Sequence, residues 1–164
     1  MTLHCRRAQP HDFEPLQQML ELYQYELSDI WPQELDAQGR YGYDLARHRE
    51  AARFFAYVAL HAGSYAGFAL VAPAAVTRTE GCWMEQFFVL KRHRRAGTGR
   101  ALAGFVFSQH PGPWEVGQMA ANHAAQHFWR RVIAGYTGGR FTETRVTEGW
   151  WQGVVQQFDS AAAR

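Results

Sequence analysis

An abrupt change of character after residue 90 constrains the fold of this chain more than any other feature. Residues 82–90 (CWMEQFFVL) are mostly apolar, as expected for a strand that is buried over most of its length. A basic, glycine-bearing segment follows at 91–100 (KRHRRAGTGR), and apolar residues then recur at helical spacing from Leu102 to Val106. We therefore predict a strand, a glycine turn and a helix in direct succession.

Gly97 and Gly99 make this turn suitable for binding a phosphate. Where a glycine turn opens a helix, unpaired amides and the positive end of the helix dipole face an anion, and no Cβ blocks its approach. The turn lacks the Lys-Ser or Lys-Thr pair of a P-loop, and Leu102 stands where the dinucleotide fingerprint needs a third glycine. Both of those phosphate-binding templates therefore fail.

The remaining patterns predict a single α+β domain over residues 1–164. Helices are expected from an Asp12 N-cap to Trp31-Pro32, over 44–53, from the glycine turn to Gln109, and from an Asn122 N-cap to Gly135. Besides 82–90, strands are expected near the N-terminus and at 54–60, 67–71, 114–119, 141–148 and 154–158. No internal repeat and no long linker divides the chain.

Composition and charge narrow the classes of function. Hydrophobic residues make up 47% of the 164 residues, so the chain can bury a core and is not a disordered or fibrous protein. The formal net charge of +2 is too small for a surface devoted to nucleic acid. Neither a secretory signal nor an apolar run of about 18 residues is present, which predicts a cytoplasmic protein with no membrane or nucleic-acid partner.

The cysteines and histidines do not predict a metal site. Cys5 and Cys82 lack any metal-binding or disulfide spacing and are expected to be reduced, small, buried hydrophobic residues. His123 and His127 lie one helical turn apart and could share a metal, but no carboxylate or thiol stands at a helpful spacing beside them. We expect them to be exposed.

The segment from Cys82 to Arg131 resembles the GNAT superfamily of N-acetyltransferases. The family signature, Arg/Gln-x-x-Gly-x-Gly/Ala at a strand-to-helix junction, reads RRAGTG at 94–99. EQFFVL at 85–90 looks like the family's fourth strand, and NHAAQHFW at 122–129 is similar to its Asn-x-x-Ala-x-x-Leu/Phe-Tyr helix. The resemblance implies a mixed, mostly antiparallel sheet with helices on both faces and with splayed fourth and fifth strands.

The resemblance also implies acetyl-coenzyme A (acetyl-CoA) as the acyl donor. Its pantetheine arm would pair with the backbone of residues 87–89, and its diphosphate would lie on the amides of residues 95–100. Independently, the basic side chains around Arg94 suit a diphosphate, although the run alone could be a solvated turn or a nucleic-acid patch. The expected cofactor contacts are Phe87, Phe88, Val89, Arg94, Arg95, Ala96, Gly97, Thr98, Gly99, Arg100, Asn122, Phe128 and Trp129.

Glu85 occupies the strand position where many family members carry the glutamate that removes a proton from the acceptor amine. Such a base is needed because an alkylammonium has a pKa of ~10.4. Strand alternation would place Glu85 with Phe87 and Val89 on one face, where aromatic neighbours should raise the pKa of the carboxyl. An edge-exposed or structurally paired glutamate is the alternative.

Trp129 departs from the family pattern, which usually has a tyrosine here to protonate the leaving thiolate. An indole has no acidic proton near neutral pH. A thiol of pKa ~8.5 leaves tolerably as the thiolate, so water or Tyr136 could suffice. The same departure leaves open a second interpretation, a catalytically silent module that binds acyl-CoA or regulates a partner.

An acidic segment indicates where the acceptor binds. Residues 11–39 contain seven acidic residues and no Lys or Arg, whereas residues 91–100 contain five basic residues and no acid. In this family the first helices and their connecting loop usually form the acceptor side. We therefore expect a small cationic primary amine, with a solvated helix face as the alternative. The expected acceptor contacts are Tyr25, Glu26, Asp29 and Trp31.

Two adjacent tryptophans, Trp150 and Trp151, are flanked by Gly149 and Gly153 near the C-terminus. Three interpretations are open: a wall of the substrate site, packing in the core, or a contact in a homodimer.

Overall fold

Residues 2–162, which the computed structural model describes, form a seven-stranded sheet and four α-helices. The strands are β1 (Leu3–Arg7), β2 (Phe55–His61), β3 (Ser64–Pro73), β4 (Cys82–Val89), β5 (Pro113–Gln118), β6 (Thr142–Val146) and β7 (Gly153–Asp159). The helices are α1 (Phe13–Leu27), α2 (Ala46–Glu50), α3 (Thr98–Gln109) and α4 (His123–Thr137).

The strands lie in the order β1-β2-β3-β4-β5-β7-β6. Every neighbouring pair is antiparallel except β4 and β5, which are parallel. These two strands pair only where Cys82 faces Trp114 and Trp83 faces Glu115, and beyond that point they separate. The predicted mixed sheet with splayed fourth and fifth strands is confirmed.

Helices cover both faces of the sheet, and each face has its own core. On one face, α1 buries Leu16 and Leu20 against Phe68 and Phe88. On the other face, α3 and α4 pack around Phe107 together with β5 and β7. Each fully buried Leu or Phe side chain contributes about 1.5–3 kcal/mol through removal of apolar surface from water. The two cores hold β4 between α1 and α3.

A β-bulge in β4 changes the predicted side-chain alternation. Leu70 of β3 pairs with Gln86, but the next residue pairs with Met84, so Glu85 is an extra residue with no partner on β3. Phe87 packs on the core of α3 and α4, whereas Glu85 contacts Tyr43 and His48 beside α1 and α2. The expectation that Glu85 shares a face with Phe87 and Val89 is therefore wrong.

Several helix boundaries also differ from those predicted. The first helix ends at Leu27, four residues before Trp31, and the second covers only 46–50 of the predicted 44–53. Asp12 stands at the N-cap position of α1, but its carboxylate does not cap that helix and instead accepts from Arg6, Tyr65 and the Gln9 amide. A buried ion pair thus replaces the predicted cap.

The last helix begins as predicted, since the Asn122 side chain accepts a hydrogen bond from the Ala125 amide at 3.2 Å. It continues through Gly135 to Thr137 and ends at Gly138, which has the left-handed conformation (φ 62°) that commonly ends a helix. In the described part of the chain, none of the helices is both long and apolar enough to cross a bilayer. Both cysteines are free, and they are half-buried rather than fully buried as predicted.

Candidate active site

The turn between β4 and α3 presents a run of unpaired backbone amides. Arg95 (φ 62°) and Gly97 (φ 82°) both have left-handed backbones, and Gly97 is the N-cap of α3. Within residues 2–162, no protein group accepts a hydrogen bond from the amides of residues 95–100. Successive free amides at a helix N-terminus form an anion-binding concavity, and the helix dipole adds to it. The turn therefore has the geometry of a phosphate cradle.

The two glycines of the turn have different surroundings. A Cβ on Gly97 would meet no atom within 4 Å, so this residue faces open space. A Cβ on Gly99 would lie 3.0 Å from the ring atoms Cε2 and Cζ of Phe128 and 3.5 Å from Val89. Gly97 thus leaves the cradle open, and Gly99 lets the Phe128 ring pack against the start of α3.

A groove of about 460 Å³ leads away from the cradle between α3 and α4. Such a volume lies in the range of small-molecule and cofactor sites. Two of its lining glycines, Gly104 and Gly135, are inside helices, where glycine costs about 1 kcal/mol relative to alanine. They keep the groove open where the helices approach each other. The lining residues are Gly97, Arg100, Ala101, Gly104, Phe105, Val132, Gly135 and Tyr136.

Aromatic side chains fill the α4 side of the split between β4 and β5. The Phe87 ring centroid lies 4.7 Å from that of Trp129 and 5.8 Å from that of Phe128. Trp129 is buried and packs on Phe107 as well, so the indole that replaces the usual tyrosine is part of the core. Tyr136 packs against Phe107 and lines the groove between the helices.

Glu85 has two oxygens in different environments. Oε1 accepts a short hydrogen bond from the Tyr43 hydroxyl, and it lies 3.3 Å from His48 Nε2 and 3.8 Å from Arg47 Nη2. Within the described residues, no hydrogen bond reaches Oε2. The side chain is 14% exposed. Glu85 therefore has one oxygen that the protein holds and one that makes no hydrogen bond within the described residues.

The surroundings of Glu85 shift its pKa in the direction opposite to that predicted. Burial alone raises the pKa, but His48, the Tyr43 hydroxyl and the Arg47 charge outweigh burial and hold the pKa of Glu85 below its ordinary value. The His48 ring lies at hydrogen-bonding distance but off the line of a strong hydrogen bond. The expectation of a raised pKa is wrong because it counted the aromatic neighbours and not these three donors.

Two residues of α1 hold the loop that carries Tyr43. The Glu21 carboxylate accepts from the amides of Tyr41 (2.8 Å) and Gly42 (3.2 Å), and Gln17 Nε2 donates to the Tyr43 carbonyl at 2.8 Å. Gly42 has a φ of 78°, which glycine adopts without strain. Tyr43 and His48 were not singled out from the sequence, because nothing in their local pattern indicates that they meet a strand about 40 residues away.

A small pocket of about 70 Å³ lies beside Tyr43, between α1 and β4. Of the four predicted acceptor residues, Trp31 is the one that lines it. Tyr25 is 71% exposed and Asp29 is also exposed, both outside the lining. The lining residues are Tyr23, Gln24, Leu27, Trp31, Gln33, Tyr43 and Gln86.

Arg94 joins the predicted cofactor side to the predicted acceptor side. Its guanidinium donates to both carboxylate oxygens of Glu26, at 2.8 and 2.7 Å, and its Nε donates to the Val89 carbonyl at 2.7 Å. The guanidinium carbon also lies 5.4 Å from the ring centroid of Phe88. The Arg94 side chain thus fastens the turn to α1, and Glu26 is neutralised by it.

The two C-terminal tryptophans have separate environments. Trp151 packs edge-on against Trp83 with ring centroids 5.2 Å apart, and it covers Gly117, where a Cβ would come within 2.6 Å of its ring. Trp150 is 71% exposed and donates from Nε1 to the Ala75 carbonyl at 3.2 Å. Of the three interpretations left open, packing applies to Trp151. His123 and His127 are exposed, and residues 2–162 contain no cluster of three metal-ligating side chains.

Several solved acetyltransferase structures share this fold. An acetyltransferase from Thermus thermophilus has a TM-score of 0.70 at 15% identity, covering 97% of each chain. Spermidine N-acetyltransferase from Vibrio cholerae, solved with CoA and spermine, has a TM-score of 0.68 at 12% identity, covering 98% of this chain and 97% of that one. PaiA N-acetyltransferase from Thermoplasma acidophilum, solved with coenzyme A, has a TM-score of 0.66 at 11% identity, covering 97% and 99%.

At these identities the likeness establishes the fold alone, and no curated protein sequence matches the chain. The model of the acetyltransferase (GNAT) family matches residues 16–136, which is most of the chain and includes β4, the glycine turn and α4. The chain therefore belongs to the GNAT family of N-acetyltransferases, enzymes that use acetyl-CoA.

Proposed function

We propose that this protein transfers an acetyl group from acetyl-CoA to a small, positively charged primary amine, with Glu85 as the base. The observation that carries the proposal is the free Oε2 of a largely buried carboxylate, two residues beyond the last β4–β5 pair. A carboxylate at this place can take the proton of an ammonium group whose nitrogen approaches the split.

The donor site is supported by three features of the chain. The amides of residues 95–100 are free to bind a diphosphate, and the adjoining groove can hold further parts of a nucleotide. The edge of β4 toward β5 is unpaired after Trp83, which leaves backbone groups of residues 87–89 for a pantetheine arm, although the Val89 carbonyl is already bound by Arg94. Arg95 and Arg100 supply positive charge beside these amides.

Each protein group has a definite part in the reaction. Bound acetyl-CoA would supply the thioester whose acetyl group forms a bond to the amine nitrogen while its carbon–sulfur bond breaks. Glu85 Oε2 takes a proton from the ammonium, so that a lone pair becomes available for attack. As the amide forms, the nitrogen loses its second proton to water. Trp129 gives no proton to the sulfur, which leaves as the thiolate, as its pKa of ~8.5 allows, and then takes a proton from the solvent.

The acceptor site is supported by the pocket beside Tyr43. Its aromatic rings, Tyr23, Trp31 and Tyr43, suit the methylene groups or the charge of an alkylammonium, and its volume of about 70 Å³ favours a small molecule. Glu26 is paired with Arg94, whereas Glu85 adjoins the pocket through its contact with the lining residue Tyr43, and we assign the attraction for the ammonium to its charge. Spermidine N-acetyltransferase from Vibrio cholerae has the same fold, which supports an amine acceptor for this class of site.

One observation favours a second candidate function, a module that binds acyl-CoA without catalysis. Trp129 is buried in the core at the position where the family usually has its proton-donating tyrosine. In that case the cradle would bind CoA, and Glu85 would serve only to hold Tyr43 and α2.

Release of free thiol from acetyl-CoA in the presence of a panel of amines tests the proposal. We expect turnover with small alkylamines or diamines, and a loss of kcat by about 10²–10⁴ in Glu85→Gln with unchanged affinity for CoA. Glu80→Gln, which changes an exposed glutamate in the loop before β4, is the matched control. CoA binding with no release of thiol from acetyl-CoA in the presence of any amine would favour the silent module.

A further inference from the structure

Two side chains outside the family signature hold Glu85. We propose that Tyr43 and His48 are positioning residues: they fix Oε1 of Glu85 and leave Oε2 as the atom that receives the proton. This inference rests on the proposed function of Glu85 as the base.

All three donors around Glu85 converge on the same oxygen. The Tyr43 hydroxyl, His48 Nε2 and Arg47 Nη2 all approach Oε1. A carboxylate held at one oxygen by groups from two directions loses its freedom to rotate. The other oxygen then keeps a constant direction, and a productive proton transfer requires such a fixed geometry.

Several hydrogen bonds hold the loop that carries Tyr43 against α1. Gln17 and Glu21, one turn apart on α1, hold the loop at Tyr41, Gly42 and Tyr43 through three hydrogen bonds. The Tyr43 ring also lines the pocket, so one side chain contacts both the base and the space next to it. Tyr43 can therefore align the carboxylate with a ligand in that pocket.

Within the described residues, the ring nitrogens of His48 have no polar contact other than that of Nε2 with Glu85. The His48 side chain has 0% exposure, and neither nitrogen makes a well-aligned hydrogen bond within the described residues. Burying polar atoms without partners is costly, and such groups in native proteins call for an explanation. The ring packs edge-on against Phe54, with centroids 5.6 Å apart, and this packing aims Nε2 at Glu85 Oε1. Contact with the carboxylate is the explanation that the geometry offers.

The charged and titratable groups facing this cluster come from three elements. They are Tyr43 in the α1–α2 loop, Arg47 and His48 on α2, and Glu85 itself on β4. Tyr43, Arg47 and His48 each favour the ionised form of Glu85. Removing the Tyr43 hydroxyl or the His48 ring therefore has a measurable consequence: Glu85 titrates at a higher pH.

The experiment combines a titration with kinetics. The side-chain carboxyl of Glu85, assigned by its absence in Glu85→Gln, is followed by ¹³C NMR against pH in the wild type, Tyr43→Phe, His48→Gln and His48→Leu. The matched control is Tyr65→Phe, which removes a hydroxyl that donates at 2.6 Å to a different buried carboxylate, Asp12. The same proteins are assayed for acetyl transfer to the best amine.

We expect Tyr43→Phe and His48→Leu to raise the titration midpoint of Glu85 and to lower kcat by about 10- to 100-fold, the effect of one hydrogen bond to a charged group. The KM for acetyl-CoA should stay constant. His48→Gln keeps an N–H donor and should show the smaller changes, while Tyr65→Phe should leave the Glu85 midpoint unmoved.

An unmoved Glu85 midpoint in both Tyr43→Phe and His48→Leu would overturn the inference. So would a wild-type kcat in both variants of an active enzyme. Failure of the proposed function looks different, because the wild type would then acetylate no amine although the NMR titration still reports the contacts of Glu85.

Discussion

Gly97→Glu perturbs the phosphate cradle without filling any space that the protein itself uses. A Cβ at Gly97 has no neighbour within 4 Å, so the new side chain leaves the backbone into open space. Its carboxylate would enter the space in front of the free amides of residues 95–100, where we propose that the diphosphate of acetyl-CoA binds.

The expected loss of affinity follows from charge repulsion. Two unit charges about 5 Å apart at an effective dielectric constant of about 20 repel each other by ~3 kcal/mol. This energy corresponds to binding of CoA that is weaker by about 10²-fold.

The free energy of unfolding should decrease by much less than the free energy of CoA binding. A non-glycine residue in the left-handed region, here at φ 82°, costs about 1–2 kcal/mol, and an acidic group at a helix N-terminus returns about 0.3–1 kcal/mol. We therefore expect a decrease of about 1 kcal/mol in the free energy of unfolding.

Calorimetric titration with CoA, alongside urea unfolding, separates the two effects. Gly63→Glu is the matched control, because Gly63 has the same φ of 82°, would likewise have no atom within 4 Å of an added Cβ, and lies in the turn between β2 and β3 outside the groove lining. It should lose about 1–2 kcal/mol of stability, because no helix terminus offsets the strained backbone, and keep its affinity for CoA. A Gly97→Glu variant that binds CoA within about threefold of the wild type would refute the cradle.

Two further predictions concern the stability of the scaffold. Arg6 donates to the buried carboxylate of Asp12 at 2.6 and 3.0 Å, so Arg6→Met should lower the free energy of unfolding by about 3 kcal/mol at a pH of about 7. Burial alone would raise the pKa of Asp12, but hydrogen bonds from Arg6, Tyr65 and the Gln9 amide hold the pKa well below its ordinary value. The stability that this group contributes is therefore complete above pH ~4 and is lost as the pH falls below that value. In urea unfolding measured against pH, the free energy of unfolding should therefore fall less at acid pH in Arg6→Met than in the wild type. Equal falls in the two proteins would contradict this. Gly99→Val should lower the free energy of unfolding by about 1–3 kcal/mol, because its Cβ would lie 3.0 Å from the Phe128 ring. Thermal or urea unfolding checks this, and an unchanged stability would show that the ring moves freely aside.

Local patterns were enough to predict the elements that hold the donor site. The apolar run of β4, the glycine turn and the spacing of α3 depend on neighbours in sequence, and the structure has them at 82–89, 94–97 and 98–109. The Asn122 cap is likewise a local hydrogen bond and was predicted correctly. These features follow from backbone chemistry within a few residues.

The environment of Glu85 could not be predicted in the same way. A bulge depends on the register between two strands, and the β3–β4 register skips Glu85 although nothing in its own segment marks it as an extra residue. The donors that hold its carboxylate come from residues 37 to 42 positions earlier in the chain. The face of the sheet on which Glu85 lies and the direction of its pKa shift therefore both depend on tertiary structure.

Long-range pairing also changes the surroundings of the acidic segment that the sequence assigns to the acceptor. Glu26 is 68 positions from Arg94, and their ion pair removes an acidic residue that the composition of α1 had assigned to a ligand. One local signal was available for the groove: Gly104 and Gly135 are glycines inside helices, an arrangement that commonly has a packing or functional reason.

A crystal structure of the protein with acetyl-CoA or CoA tests the central claim most directly. We predict diphosphate oxygens within about 2.7–3.2 Å of several amides of residues 95–100, and the acyl end in the split between β4 and β5 beside Glu85. A diphosphate bound elsewhere, with those amides facing only solvent, would contradict it.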